Sequence, residues 1–180
     1  MLAHYQAKLR SFCHDTRGVA AIEMALGSLM LILAVFNVVD VSVYAYKNMQ
    51  VANAAQVGAQ AAWSNCTTGL VLPATQNCPN LNAKITTAIQ STSLGTAVTL
   101  TSGYPQEGYY CVNGSGALQA VGTLSSPPAD CSAAGNPNVA PGDYIQVAVT
   151  YRYRSVFPNL TVMAALNISS ITTASWMRLD

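Results

Sequence analysis

Charge is scarce in this chain of 180 residues: Lys and Arg number 8, Asp and Glu 7, and the net charge is +1. Such a balance leaves no basic footprint for nucleic acid. Histidine is scarcer still. Both histidines, His4 and His14, precede Gly18, so the rest of the chain lacks the side chain most used as a general base near neutral pH and as a zinc ligand. The acids after Gly18 are Glu23, Asp40, Glu107, Asp130, Asp143 and Asp180, scattered singly. No Ser or Cys stands in a G-x-S-x-G signature, and the chain has neither a phosphate-binding glycine loop nor a metal-ligand motif. These absences argue against an enzyme; no catalytic residue, metal or cofactor is assigned.

What the chain has instead is apolar surface, with 51% hydrophobic residues, much of it in one run. Residues 17–39 read RGVAAIEMALGSLMLILAVFNVV, and from Val19 to Val39 the only charge is Glu23. At about 1.5 Å per residue this run matches a hydrocarbon core of roughly 30 Å, a transmembrane helix by length. Lys8, Arg10 and Arg17 precede it against Asp15 alone, while Asp40 and the distant Lys47 follow. The basic excess places the N-terminal side in the cytoplasm and the long C-terminal part outside. A carboxylate inside a span costs about 3 kcal/mol on insertion scales, which makes Glu23 a functional candidate by default.

The cysteines agree with that topology. Cys13 falls on the cytoplasmic side, whereas Cys66, Cys78, Cys111 and Cys131 fall outside, where an oxidising compartment permits disulfides. Four cysteines allow three connectivities. Cys66 with Cys78 and Cys111 with Cys131 is the favoured set, because each pair encloses a short loop rich in Pro, Gly, Asn, Ser or Thr. The spacings are not C-x-x-C and no histidine lies nearby, so zinc is a poor alternative.

Residues 1–18 are polar, basic and too short to fold alone, as expected of a leader. The helical pattern continues past the apolar run to about Trp63, with Val41, Ala45, Ala52, Ala55, Ala59 and Ala62 expected on one face and Gln50, Asn53, Gln60 and Ser64 on the other. That alanine stripe suits packing on the protein's own sheet or close approach to neighbouring helices. A second short helix is predicted from Leu81 to Leu94, ended by Gly95. Strands are predicted at Ala97–Thr101, Tyr109–Asn113, Tyr144–Tyr153 and Ile168–Met177. In YIQVAVTYRY (144–153), Ile145, Val147 and Val149 alternate with a more polar set, which calls for a sheet with one buried face. Residues between Asn113 and Asp143 are expected to be surface loop.

A basic leader ending in Gly18, then Val19, then Glu23 as the fifth residue after the glycine within an apolar helix, resembles the cleavage motif of type IV prepilins. GVAAIEMAL, the continuation NMQVANAAQVGAQAA and the terminal ASWMRLD are similar to the TadE/TadF family of pseudopilins from tight-adherence, type IVc, pilus systems. Met24 departs from the aromatic residue that often follows the glutamate there. Val19, in place of Phe, separates the chain from the general-secretion pseudopilins and the common type IV pilins. More than a hundred residues beyond the helix favour a minor component over a major pilin.

The resemblance implies cleavage by a prepilin peptidase between Gly18 and Val19, and a role for Glu23 in assembly, its carboxylate partnering the new Val19 amine of the same or a neighbouring subunit. It also implies contacts with other pilins and pseudopilins through the N-terminal helix, with an inner-membrane assembly platform and with the lipid bilayer, but not with nucleic acid. The expected architecture is pilin-like α+β. Residues 1–18 form the leader, 19–64 a long helix with its transmembrane part at 19–39, and 65–180 an extracytoplasmic disulfide-containing domain with a short helix and an antiparallel sheet of about four strands. The expected location is the inner membrane, single-pass, and the pilus or cell surface after assembly. The alternative is a membrane-anchored or secreted binding domain, with Val43-Tyr44-Ala45 as a signal-peptidase site.

Overall fold

A computed structural model describes residues 17–66 and 72–180. Residues 1–16, among them Lys8, Arg10 and Cys13 and most of the expected leader, lie outside the described residues. The chain divides into two units, one running up to Val43 and including Ser155–Asn167, the other comprising Tyr44–Arg154 and Ile168–Asp180.

Helix α1, Arg17–Asn65, runs 49 residues and contributes to both units. It holds no proline, so nothing in its interior removes a backbone donor. Its first part is long and apolar enough to cross a membrane, and those side chains are exposed. From Tyr44 onward α1 becomes part of the second unit. There Val51, Ala54, Ala55, Ala59 and Ala62 are fully buried, and Gly58 with them. This stripe contains Ala55, Ala59 and Ala62 of the expected face and corrects the rest. Val41 and Ala45 are exposed and Ala52 only half-buried, because the sheet and a second helix meet α1 along the i, i+3, i+4 line through Val51 and Gly58.

Three short helices follow: α2 at Ala74–Asn77, α3 at Leu81–Gln90 and α4 at Val162–Ala165. Helix α3 buries Leu81, Ile85 and Ile89, one residue per turn. It stops four residues short of the expected Leu94, as the Ser91 and Thr92 hydroxyls turn back onto the carbonyls of Ala88 and Ile89 at 2.7 Å each.

The strands are β1 (Val98–Leu100), β2 (Gln106–Val112), β3 (Leu118–Ala120), β4 (Gly142–Arg152) and β5 (Ser170–Arg178), all antiparallel. Strand β4 is central. One side pairs with β5 from Tyr144 opposite Arg178 to Arg152 opposite Ser170. The other pairs with β2 through residues 142–146 and with β1 through residues 149–151, so β1 and β2 lie end to end along it. Strand β3 extends the sheet beyond β2.

The fold is α+β, with five strands among the described residues, one more than expected. The addition, β3, lies in the stretch read as surface loop. Ile145, Val147 and Val149 of β4 are fully buried, giving the sheet its one buried face. With Val98, Ile171, Leu179, α3 and the Val51–Ala62 stripe they form the core of the second unit.

Candidate functional site

The first unit is built around two polar side chains near the end of the apolar run. Phe36, Asn37 and Asp40 share one face of α1, at i, i+1 and i+4. Asp40 is fully buried. Its Oδ1 accepts the Val156 backbone N–H at 2.9 Å, and its Oδ2 accepts the Ser155 hydroxyl at 2.5 Å and the Thr161 hydroxyl. Asn37 Oδ1 accepts the N–H of Val162, the first residue of α4, at 2.9 Å. Thr161 caps the same helix by accepting from Ala164. Phe36 stacks on Phe157 with ring centroids 4.3 Å apart. Residues 155–167 are thus fastened to α1 by a stacked ring pair and a satisfied buried carboxylate, an arrangement strong in low dielectric because every donor meets an acceptor.

A second polar centre lies in the other unit. Asp143 on β4 is buried and its carboxyl oxygens have no hydrogen-bond partner among the described residues. Burial, with Glu107 and Asp180 nearby, pushes its pKa up to about 7. The Asp180 carboxylate accepts the Asp143 backbone N–H at 3.0 Å and the Arg178 Nε–H at 2.9 Å. Glu107 accepts from the backbone N–H groups of Ala74 and Thr75 at 2.5 and 2.6 Å, which joins β2 to the start of α2. Among the described residues no group of three or more His, Cys, Asp or Glu is arranged to hold a metal ion. An open cleft of about 490 Å³ lies between Thr75, Asn82 and Tyr104, and Tyr104 is the one titratable side chain in its lining.

Cys66 is bonded to Cys78, and Cys111 to Cys131. The second bond sits in its own small cluster with Val121 and Ala134, packed by Tyr109. Asp130 beside it accepts the Ser132 hydroxyl at 2.5 Å and the Ser132 N–H at 3.0 Å, which holds its carboxyl below the usual range. Loops closed over such short spans contribute about 2–4 kcal/mol each in the chain-entropy picture.

Gly18, Val19 and Glu23, the residues singled out by the sequence, lie in the first two turns of α1. Val19 and Glu23 are one turn apart on a single face, and both are exposed. Gly18 has open space where a Cβ would stand. In the unprocessed chain Val19 carries a peptide N–H, and Glu23 has no ion pair among the described residues. Residues 18–60 match the family model of TadE-like protein. No match was found among curated proteins or among solved structures.

The TadE-like segment begins at Gly18 and takes in Glu23, Asn37, Asp40 and most of the buried stripe through Ala59. It covers the exposed half of α1 and much of the buried half, and stops before the disulfides and the sheet. The TadE-like family is one of structural pilus components, a pseudopilin role, and such components work by contact with other pilus proteins. An apolar N-terminal helix of this kind can serve as the membrane anchor. Asn37 and Asp40 were not singled out by sequence; the signal available was a buried-type polar pair closing an apolar run.

Proposed function

We propose that the chain is a minor pilin or pseudopilin, a non-enzymatic structural component for assembling or capping a tight-adherence type IV pilus, processed by a prepilin peptidase after Gly18. The observation that carries this reading is the TadE-like match over residues 18–60, which opens on the glycine of the cleavage motif. Exposed Val19 and Glu23 on one helical face support it, since a carboxylate one turn from a newly formed amine offsets its charge in low dielectric. The unprocessed protein is held in the inner membrane by α1, N-terminus in the cytoplasm and C-terminal domain in the periplasm. Its partners are the peptidase, the assembly platform, the bilayer and other pilins met through the exposed half of α1. The unbroken helix through Val43, Tyr44 and Ala45 weighs against the alternative of a signal-peptidase site there.

The N-terminal residue of the protein recovered from membranes tests the reading. Val19 is expected. Tyr46 would make the apolar run a signal peptide, and Met1 would make it a plain anchor; either result overturns the proposal.

A further inference from the structure

Residues 155–167, SVFPNLTVMAALN, contain no Asp, Glu, Lys or Arg. Val156, Leu160, Val162 and Leu166 are exposed within them, at 47%, 53%, 57% and 62%. An irregular segment this apolar is unusual on a surface that faces water. Part of its backbone is satisfied locally: the N–H groups of Val156, Leu160, Val162, Ala164, Ala165, Leu166 and Asn167 have acceptors within the segment or on α1. Lipid-exposed irregular backbone does not enter the hydrocarbon core itself, so an apolar segment of this kind suits the interfacial boundary, where water still reaches its remaining polar groups. The charge that fastens the segment, Asp40, is itself fully buried.

We propose that residues 155–167 form an apolar foot that lies in the acyl-chain boundary of the bilayer beside α1. The occupant is lipid because the foot is continuous with the lipid-facing surface of the span. It is held at Phe36, Asn37 and Asp40, where the apolar run ends, roughly 30 Å of helix from Val19. Exposed Val35, Val38 and Val39 on α1 extend the same apolar band. The foot widens the membrane contact from one helix to a two-segment wedge at the outer leaflet, as an amphipathic interfacial helix does. The fastening by Asp40 sets its depth, since the carboxylate is sequestered from lipid by the donors it accepts from.

This proposal rests on α1 being a membrane anchor, and the test separates the two. Full-length protein with Cys13→Ser, its disulfides intact, is spin-labelled at Leu160→Cys or Leu166→Cys. It is reconstituted in phosphatidylcholine–phosphatidylglycerol vesicles, and collisions with oxygen and with a water-soluble nickel complex are measured. Val35→Cys serves as the span control and Ser125→Cys as the aqueous one. The oxygen-to-nickel ratio at 160 and 166 is expected to approach that at 35 and to exceed that at 125 several-fold. A ratio at 160 and 166 equal to that at 125, with 35 still lipid-like, overturns the foot and leaves the anchor standing. An aqueous ratio at 35 as well overturns both. Protection from both reagents at 160 and 166 marks a protein neighbour and overturns lipid as the occupant.

Discussion

The two halves of α1 each present an apolar surface, one all round and one as a stripe, and the two are made of different side chains. Up to Val43 the exposed residues include many large ones, among them Met24, Leu26, Leu29, Met30 and Leu31; beyond it the buried ones are Val51, Ala54, Ala55, Gly58, Ala59 and Ala62. Between their apolar faces the difference is size: Leu, Met, Ile and Val side chains present a large area on the exposed half, whereas alanine and glycine let a helix backbone approach α3 and β4 closely. One unbroken helix therefore serves two environments, and the change falls within a few residues of Asp40.

Two glycines break or sharpen this contrast most strongly. A Cβ on Gly58 would stand 2.8 Å from Ile89 Cγ2 and 3.1 Å from Val147 Cγ1, whereas one on Gly27 would meet nothing. Those methyls belong to β-branched side chains and cannot swing aside. Gly58→Leu is expected to destabilise the second unit by about 3 kcal/mol through overpacking. Gly27→Leu is expected to cost nothing and to gain about 1 kcal/mol of helix propensity. Thermal or chemical unfolding of the two variants checks both; equal behaviour would erase the distinction between the halves.

A smaller loss is expected at the junction. Asp40→Ala leaves the Ser155 and Thr161 hydroxyls and the Val156 N–H without their acceptor, which costs about 1–3 kcal/mol of local stability. Limited proteolysis in detergent should then cut faster within residues 155–167. Asp40→Asn, which keeps one acceptor oxygen, should fall between.

The domain half also carries a pH dependence. Because the folded-state pKa of Asp143 stands at about 7 against an ordinary 3.8, the folded chain holds more protons than the unfolded one between those values. Its contribution is present in full below 3.8 and is lost as pH rises through about 7. The change is expected to be on the order of 1 kcal/mol, since Glu107 and Asp180 share the charge of the site. Asp143→Asn should flatten the stability profile over that window, and an unchanged slope would remove Asp143 as its source.

How legible all this was depends on range. The apolar run, its continuation into a helix and the alternation of Ile145, Val147 and Val149 are periodic signals within one stretch of chain, and each yields the observed element. Strand β3 did not show, because LQA is three residues with exposed side chains and no period. The helix face was half legible: Ala55, Ala59 and Ala62 are buried as expected, but alanines occur all round α1, and that Val51, Ala54 and Gly58 join them in place of Val41, Ala45 and Ala52 depends on Ile85, Ile89 and Val147. The Asp40 centre was invisible for a plainer reason: its partners Ser155, Val156 and Thr161 lie 115 to 121 residues away. Glu23 is the opposite case, conspicuous as the one charge between Val19 and Val39.

That isolation makes Glu23→Ala the most direct measurement. On the proposed function, removing the carboxylate makes α1 more apolar, so membrane insertion should persist, and cleavage after Gly18 should persist because residues 1–18 are untouched. Incorporation should fail, since an amine at Val19 buried against neighbouring subunits would lose its partner at a cost of about 3–5 kcal/mol. Crosslinking to pilin partners, scored beside a count of surface fibres, is expected to drop to background. A Glu23→Ala protein that is processed, retained and assembled as well as its parent would contradict the account.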